Sequence, residues 1–325
     1  MLTYLIQRLG QALVTVAAMA TLVFVGVYAI ADPIDMLAAP DASADERAAI
    51  AARLGLDRSL VVQFGTFAWR ALHGDLGRSF VYNEPALAVI LQRLPATLEL
   101  AVTALVLAVA VGLPLGLWAG LRPNAVAGRT IMTGSILAFS LPNFWQGLML
   151  VLVFAVTLGW FPAGGRGETV TVFGVETGLL TLDGLRHLVL PAVNLALFKL
   201  AVVIRLARAG TREAMLQDYV RFARAKGLSP ARIVGVHVLK NILLPVVTVI
   251  GLEFGAMIAF AVVTETVFAW PGIGKLLIDS INRLDRPVIV AYLMLTVCLF
   301  VLINLLVDLI YASLDPRVRL SEAGA

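Results

Sequence analysis

The stretch Asp218-Tyr219-Val220-Arg221-Phe222-Ala223-Arg224-Ala225-Lys226-Gly227-Leu228-Ser229-Pro230 lies within a basic run from Arg205 to Lys240, and the sequence beyond that run on either side is apolar. Upstream, Lys199 is the only charge between His187 and Arg205; downstream, only Glu253 and Glu265 are charged from Asn241 to Phe268. A bilayer core about 30 Å thick takes roughly 20 consecutive apolar residues in a helix, so each flank is long enough to cross. The basic stretch therefore reads as a surface connection between two membrane crossings.

Working outward, charged residues serve as a ruler. Arg8 and Asp32 bracket 23 uncharged residues, Glu99 and Arg122 bracket 22, and Arg129 and Arg166 bracket 36. The last interval predicts one helix of about 28 residues, ending where Trp160 and Phe161 form an interfacial aromatic pair before the helix breaker Pro162. Pro287 to Val307 is free of charge. The expected spans are 9–31, 97–121, 130–160, 187–209, 241–268 and 288–312, giving an all-α integral membrane protein with six transmembrane helices. The first span is read as retained, because a signal-peptide apolar region is about 7–15 residues, shorter than this one, although Ala29-Ile30-Ala31 resembles a cleavage site.

Composition agrees. Of 325 residues, 60% are hydrophobic and 14% charged, the net charge is +4 and the mean hydropathy is +0.92. Soluble globular chains carry roughly 25% charge, so a soluble enzyme and a disordered chain are excluded. A disulfide scaffold is excluded too, since Cys298 has no second cysteine to pair with.

Lys and Arg concentrate on the cytoplasmic side of membrane proteins. With six crossings, one face holds Arg8, Arg122, Arg129, the basic residues from Arg205 to Lys240, Arg317 and Arg319. The other face is acidic or mixed, with eight acids and six bases in residues 32–96. Both termini are expected in the cytoplasm, residues 32–95 outside with short surface helices at Asp45 to Leu56 and Ser59 to Leu72, and 269–287 as an outer loop.

The inner segment, 211–240, carries local helix signals. Tyr219, Phe222 and Ala223 recur at helical spacing with Arg221, Arg224 and Lys226 around them. Gly227 tolerates the left-handed conformation that ends a helix, and Ser229 followed by Pro230 caps and starts another. Two short helices meeting at a Gly-Leu-Ser-Pro turn are expected. Anionic lipid headgroups attract such a basic loop, but lipid attraction asks only for charge, whereas defined helix ends suit a shape-specific socket.

Asp218 to Leu228, followed by His237, Asn241 and Leu243-Leu244-Pro245, resembles the coupling segment of permease subunits of binding-protein-dependent ABC importers, in the dipeptide/oligopeptide/nickel branch. The resemblance covers nearly the whole chain in order: Tyr4 to Gln11, Leu54-Gly55-Leu56-Asp57, Gly74-Asp75-Leu76-Gly77-Arg78-Ser79, Arg93-Leu94-Pro95-Ala96-Thr97-Leu98-Glu99-Leu100, Ser140-Leu141-Pro142-Asn143-Phe144-Trp145, Arg186 to Ala192, Glu265 to Gly274, and Leu305 to Arg317. Arg221, Phe222 and Ala223 stand where the general importer motif has Glu-Ala-Ala, and fourteen residues separate Gly227 from Ile242-Leu243-Leu244-Pro245 where that motif has nine. Both departures are features of the peptide branch.

The resemblance implies a type I ABC importer permease architecture and an inner-membrane location. The implied partners are a second homologous permease in a heterodimer, two cytoplasmic ATPase subunits, and a periplasmic or lipid-anchored solute-binding protein, with membrane lipid around them and no nucleic acid. Asp218, Tyr219, Arg221, Phe222, Ala223, Arg224, Lys226 and Gly227 would form the ATPase-coupling element, and Trp270-Pro271-Gly272 would belong to a loop facing the binding protein. The implied solutes are di- or oligopeptides, with nickel chelate, glutathione or oligosaccharide as alternatives. The chain itself should not be an enzyme. No Gly-x4-Gly-Lys-Ser/Thr loop is present, and Gly272-Ile273-Gly274-Lys275-Leu276 lacks the hydroxyl that would hold Mg²⁺.

Charges inside a bilayer are functional candidates. Lys199 either faces the translocation path and meets a peptide carboxylate, or snorkels, or pairs with Glu253 or Glu99. Glu253 is a further path candidate, as is Glu265, for which hydrogen bonding to the following loop backbone is the alternative. Asp308 and Asp315 read as boundary residues near Arg317. His73, His187 and His237 are spread over both faces, so no metal cluster and no cofactor is expected; Cys298 reads as packing. A self-contained secondary transporter would favour internal repeats, and an intramembrane enzyme a nucleophile or metal constellation; neither is visible.

Overall fold

The computed structural model describes residues 2–30, 43–54 and 57–314. Asp32, Gly55 and Leu56, and the tail from Asp315 through Arg317 and Arg319, lie outside the described residues. Helix α1 is Leu2–Ile30, α2 Ala44–Leu54, α3 Leu60–Leu72 and α4 Ala86–Leu121. Helix α5, Val126–Ser140, precedes α6, Asn143–Leu150, which continues as a π-helical stretch Val151–Thr157. A hairpin of β1, Val170–Val172, and β2, Val175–Thr177, pairs Val170 with Thr177. Then come α7, Leu182–Leu216, and α8, Asp218–Ala225. Helix α9 starts as Pro230–Arg232, passes through a π-helical stretch Ile233–Val238 and continues as Leu239–Val267. Helices α10, Ile273–Asn282, and α11, Arg286–Leu314, complete the order.

Among the described residues five helices are long and apolar enough to cross a membrane, and the α5–α6 pair, bent by 106°, makes a sixth if read as one span. Residues 130–160 are therefore not the single straight helix expected. Pro142 has no N–H to continue α5 and keeps Leu141 extended. The freed carbonyls are satisfied within the bend: Gln146 Nε2 donates to Ala138 O at 2.6 Å and to Leu141 O at 2.8 Å.

The chain divides into two compact units, one of Met1–Gln92 with Leu276–Val301 and one of Arg93–Lys275 with Leu302–Ala325. In the first, Val23 packs with Val290 and Met294, flanked by Phe67 and Leu76. Phe24 meets Phe64 edge-on at 5.3 Å. Asp285, fully buried, accepts from the Ser79 hydroxyl, from Phe80 N at 3.1 Å and from Val81 N at 3.3 Å. That cradle ties the Gly74 to Ser79 motif to the start of α11. Within the motif, the Arg70 guanidinium 2.8 Å from Asp75 and the Gly77 amide hold the Asp75 carboxyl below the usual carboxylate range.

In the second unit α4 presents Ala96, Leu100, Ala104, Ala108, Gly112, Gly116 and Gly120, a row with one residue every four. Its glycine end lies against α7. A Cβ at Gly116 would fall 2.7 Å from Ile204 O and one at Gly120 2.9 Å from Arg208 O. Only glycine permits that approach, the small-residue packing by which helices associate where no hydrophobic driving force exists between them. Ala96, Leu100, Ala104 and Ala108 continue the row into a core with Leu188, Ala192, Met257 and Trp270.

Candidate functional site

The element expected on the inner face is built by local signals. Gln217 interrupts the helix at the end of α7, and α8 begins at Asp218. It ends in a two-bond cap: Gly227, at φ +74°, donates to Arg224 O at 2.9 Å, and Leu228 N donates to Ala223 O at 3.2 Å. Ser229 then accepts from Arg232 N at 3.4 Å, with Pro230 at the first helical position of α9. The expected second short helix is not separate, because the chain runs unbroken through the π-helical stretch into the membrane helix.

Facing differs from the periodicity reading. Val220, 0% exposed, and Ala223 turn inward against Ala214, Ile233 and Val238. Tyr219 and Phe222 turn outward, Phe222 being 62% exposed with Lys226 Nζ 4.5 Å from its ring centre. Arg221 and Arg224 are exposed as well. Asp218 makes a long 3.4 Å contact with Arg221 at the surface, a pair worth little in stability.

The loop that follows α9 is organised around Glu265, which is completely buried. Thr97 Oγ1 donates to Glu265 Oε1 at 2.6 Å and accepts from Ile273 N at 2.9 Å, while Lys275 N donates to Glu265 Oε2 at 2.9 Å. Trp270, also fully buried, donates its indole N–H to Ala96 O at 2.8 Å. A Cβ at Gly272 would overlap the Glu265 carboxylate and the Thr97 hydroxyl. Glu265, Thr97 and Trp270 thus clamp the Trp270-Pro271-Gly272 turn onto α4.

Lys199 pairs with Glu253, the first of the two partners that the sequence left open. Glu99 pairs instead with Arg166 at 2.5 Å and accepts from Gly178 N at 3.1 Å, anchoring the base of the β-hairpin to α4. This anchor was missed in the sequence, where Arg166 served as a span boundary and Glu99 as a boundary and a possible partner of Lys199. Also missed was a polar knot inside the second unit: Asn143 and Asn194 both donate to Thr264 Oγ1, at 3.2 and 3.0 Å, joining the α5–α6 bend to α7 and α9. Its signal was present in the Leu141-Pro142-Asn143 motif. Among the described residues no group of three His, Cys, Asp or Glu is placed to hold a metal. His73 and His187 instead contact backbone carbonyls one helical turn before them.

These features, among the described residues, are those of a polytopic membrane protein with an exposed basic helix and a buried loop clamp. Family models described as "Binding-protein-dependent transport system inner membrane component" and its membrane-component N-terminal region match residues 112–320 and 1–101. The chain belongs to that family of permeases and is a multi-pass inner-membrane protein. It is 40% identical to the di/tripeptide transport system permease protein DppB of Pseudomonas aeruginosa, with 98% of this chain and 99% of the relative covered. It is 37% identical to the dipeptide transport system permease protein DppB of Escherichia coli K12 over the same shares. A putative peptide transport system permease protein of Brucella abortus is also 37% identical, covered to 99%. Among solved structures, a chain of the inward-facing MetNI methionine ABC transporter matches with a TM-score of 0.56 at 18% identity, covering 71% of this chain and 99% of that one. The fold is accordingly that of an ABC importer permease.

Proposed function

We propose that the chain is one permease subunit of an importer that carries di- or oligopeptides into the cytoplasm, with six spans, the bent α5–α6 pair being the third, and both termini inside. A second, similar permease completes the pathway, and a solute-binding protein delivers the solute. Two ATPase subunits supply the energy. The solute reading rests on the peptide permeases that this chain resembles; nickel chelate, glutathione and oligosaccharide are the alternatives.

The observation that carries the coupling mechanism is the division of α8 into an anchored face and a free one. Val220 and Ala223 fix it to the helices behind it. Tyr219, Phe222, Arg221 and Arg224 are left for a groove with an acidic rim on the ATPase. Closure of the ATPases on ATP then moves α8 as a rigid piece and tilts α7 and α9. The Trp270-Pro271-Gly272 turn, held from below by Glu265, offers the binding protein a preformed surface. Reconstitution with the second permease, both ATPases and the binding protein tests the assignment: ATP-dependent uptake of labelled dipeptide is expected, and an active chain without partners would point to a secondary transporter.

A further inference from the structure

Building on the peptide-importer reading, we infer that Glu253 receives the α-ammonium group of the peptide in the translocation path, and that Lys199 is the counter-charge that positions it. The two residues come from the middle of α7 and α9, and Lys199 Nζ donates to Glu253 Oε2. Their exposure is unequal: the Lys199 side chain is 11% exposed and that of Glu253 32%. The cation is sunk between helices and the carboxylate is presented. Oε1 of Glu253 has no hydrogen-bond partner among the described residues, and an ionised carboxylate keeps acceptor sites on both oxygens. Hydrocarbon is an expensive surrounding for that oxygen, so it faces a solute path or a neighbouring chain.

What surrounds the pair favours the solute. Lys199 Nζ is 5.0 Å from the ring centre of Phe198. Phe198 stacks on Phe139 with centroids 4.5 Å apart, and the Arg205 guanidinium is 4.8 Å from the Phe139 ring centre. Both rings are exposed. An open carboxylate oxygen near an aromatic shelf, with Lys199 and Arg205 already engaged by Glu253, Phe198 and Phe139, suits a molecule with an ammonium group and an adjacent apolar side chain, which is the N-terminal residue of a peptide. An oligosaccharide brings no ammonium. The roles reverse the expectation that Lys199 meets the peptide carboxylate: Lys199 is the enclosed member of the pair.

The test uses the complete importer in proteoliposomes, with radiolabelled alanylphenylalanine as probe and ATP hydrolysis measured in parallel. Absence of uptake by the wild-type complex overturns the peptide reading and this inference with it. Given wild-type uptake, Glu253→Gln is expected to lower dipeptide uptake per ATP about tenfold or more, the scale of one hydrogen bond to a charged group. The swapped variant Lys199→Glu/Glu253→Lys restores an ion pair but presents a cation; it is expected to assemble with the ATPases and to remain about tenfold slow. Wild-type uptake by Glu253→Gln, or recovery in the swapped variant, overturns the inference and makes the pair a structural one. Failure of both variants to assemble overturns it also, because the presented oxygen then serves the neighbouring permease.

Discussion

The α8 element and the loop clamp after α9 are both tight turns at the ends of membrane helices, but they spend their side chains in opposite ways. At the outer clamp, Glu265, Thr97 and Trp270 bond one another and nearby backbone groups, and nothing bulky is left over. At the α8 element the backbone closes the cap at Gly227 and the small Ser229 hydroxyl closes the next one. The aromatic and basic side chains Tyr219, Phe222, Arg221 and Arg224 of α8 are thereby left exposed. A turn that satisfies itself through the backbone can present side chains to a partner; a turn satisfied through side chains holds position.

This contrast is open to breaking by mutation. Trp270→Ala should have the largest effect on stability, about 3–5 kcal/mol from the cavity left by a fully buried aromatic. Thermal unfolding in detergent measures it. Next, Glu265→Ala strands the Thr97 hydroxyl and the Lys275 amide and should cost about 1–3 kcal/mol per group left unpaired; Glu265→Gln should lose less. If these clamp variants unfold at the wild-type temperature, the outer loop is not held by its side chains.

At the inner element, Gly227→Val should cost about 1–3 kcal/mol, because φ +74° strains a β-branched residue. An added Cβ there meets nothing within 4 Å, so strain and not collision is the cause. ATP turnover should continue while uptake falls, and unchanged uptake would sink the idea of a fixed angle. The smallest effect on the fold is expected for Phe222→Ala, within about 0.5 kcal/mol of wild type. That variant should nonetheless lose co-purification with the ATPases, and retention of both subunits would remove the difference between the two regions.

Legibility in the sequence followed the range of the interactions. The ends of α8 and the start of α9 were readable because Gly227 and Ser229-Pro230 act on backbone within a few residues. The facing of α8 was not: Tyr219 and Val220 are adjacent and both apolar, and Ile233 and Val238, beyond the turn, decide between them. The bend at Leu141-Pro142 was visible as a proline but was outweighed by the unbroken apolar run. The glycine row of α4 was in plain view at four-residue spacing, yet its meaning depends on the Ile204 and Arg208 backbone of another helix. Choosing Glu253 over Glu99 for Lys199, and pairing Glu99 with Arg166 of the loop before β1, required knowledge of which segments are neighbours.

Helix α9 continues from Pro230 to Val267 without a break, roughly 57 Å at 1.5 Å per residue. Its near end is the capped turn that carries α8, and Glu265 stands in its last turn. Under the proposed coupling, α9 is a pushrod between the turn that carries α8 and the latch at Glu265, and its wide-turned stretch at Ile233–Val238 lies close to the driven end. On that reading, whatever part of the ATPase stroke is not absorbed there arrives at the latch.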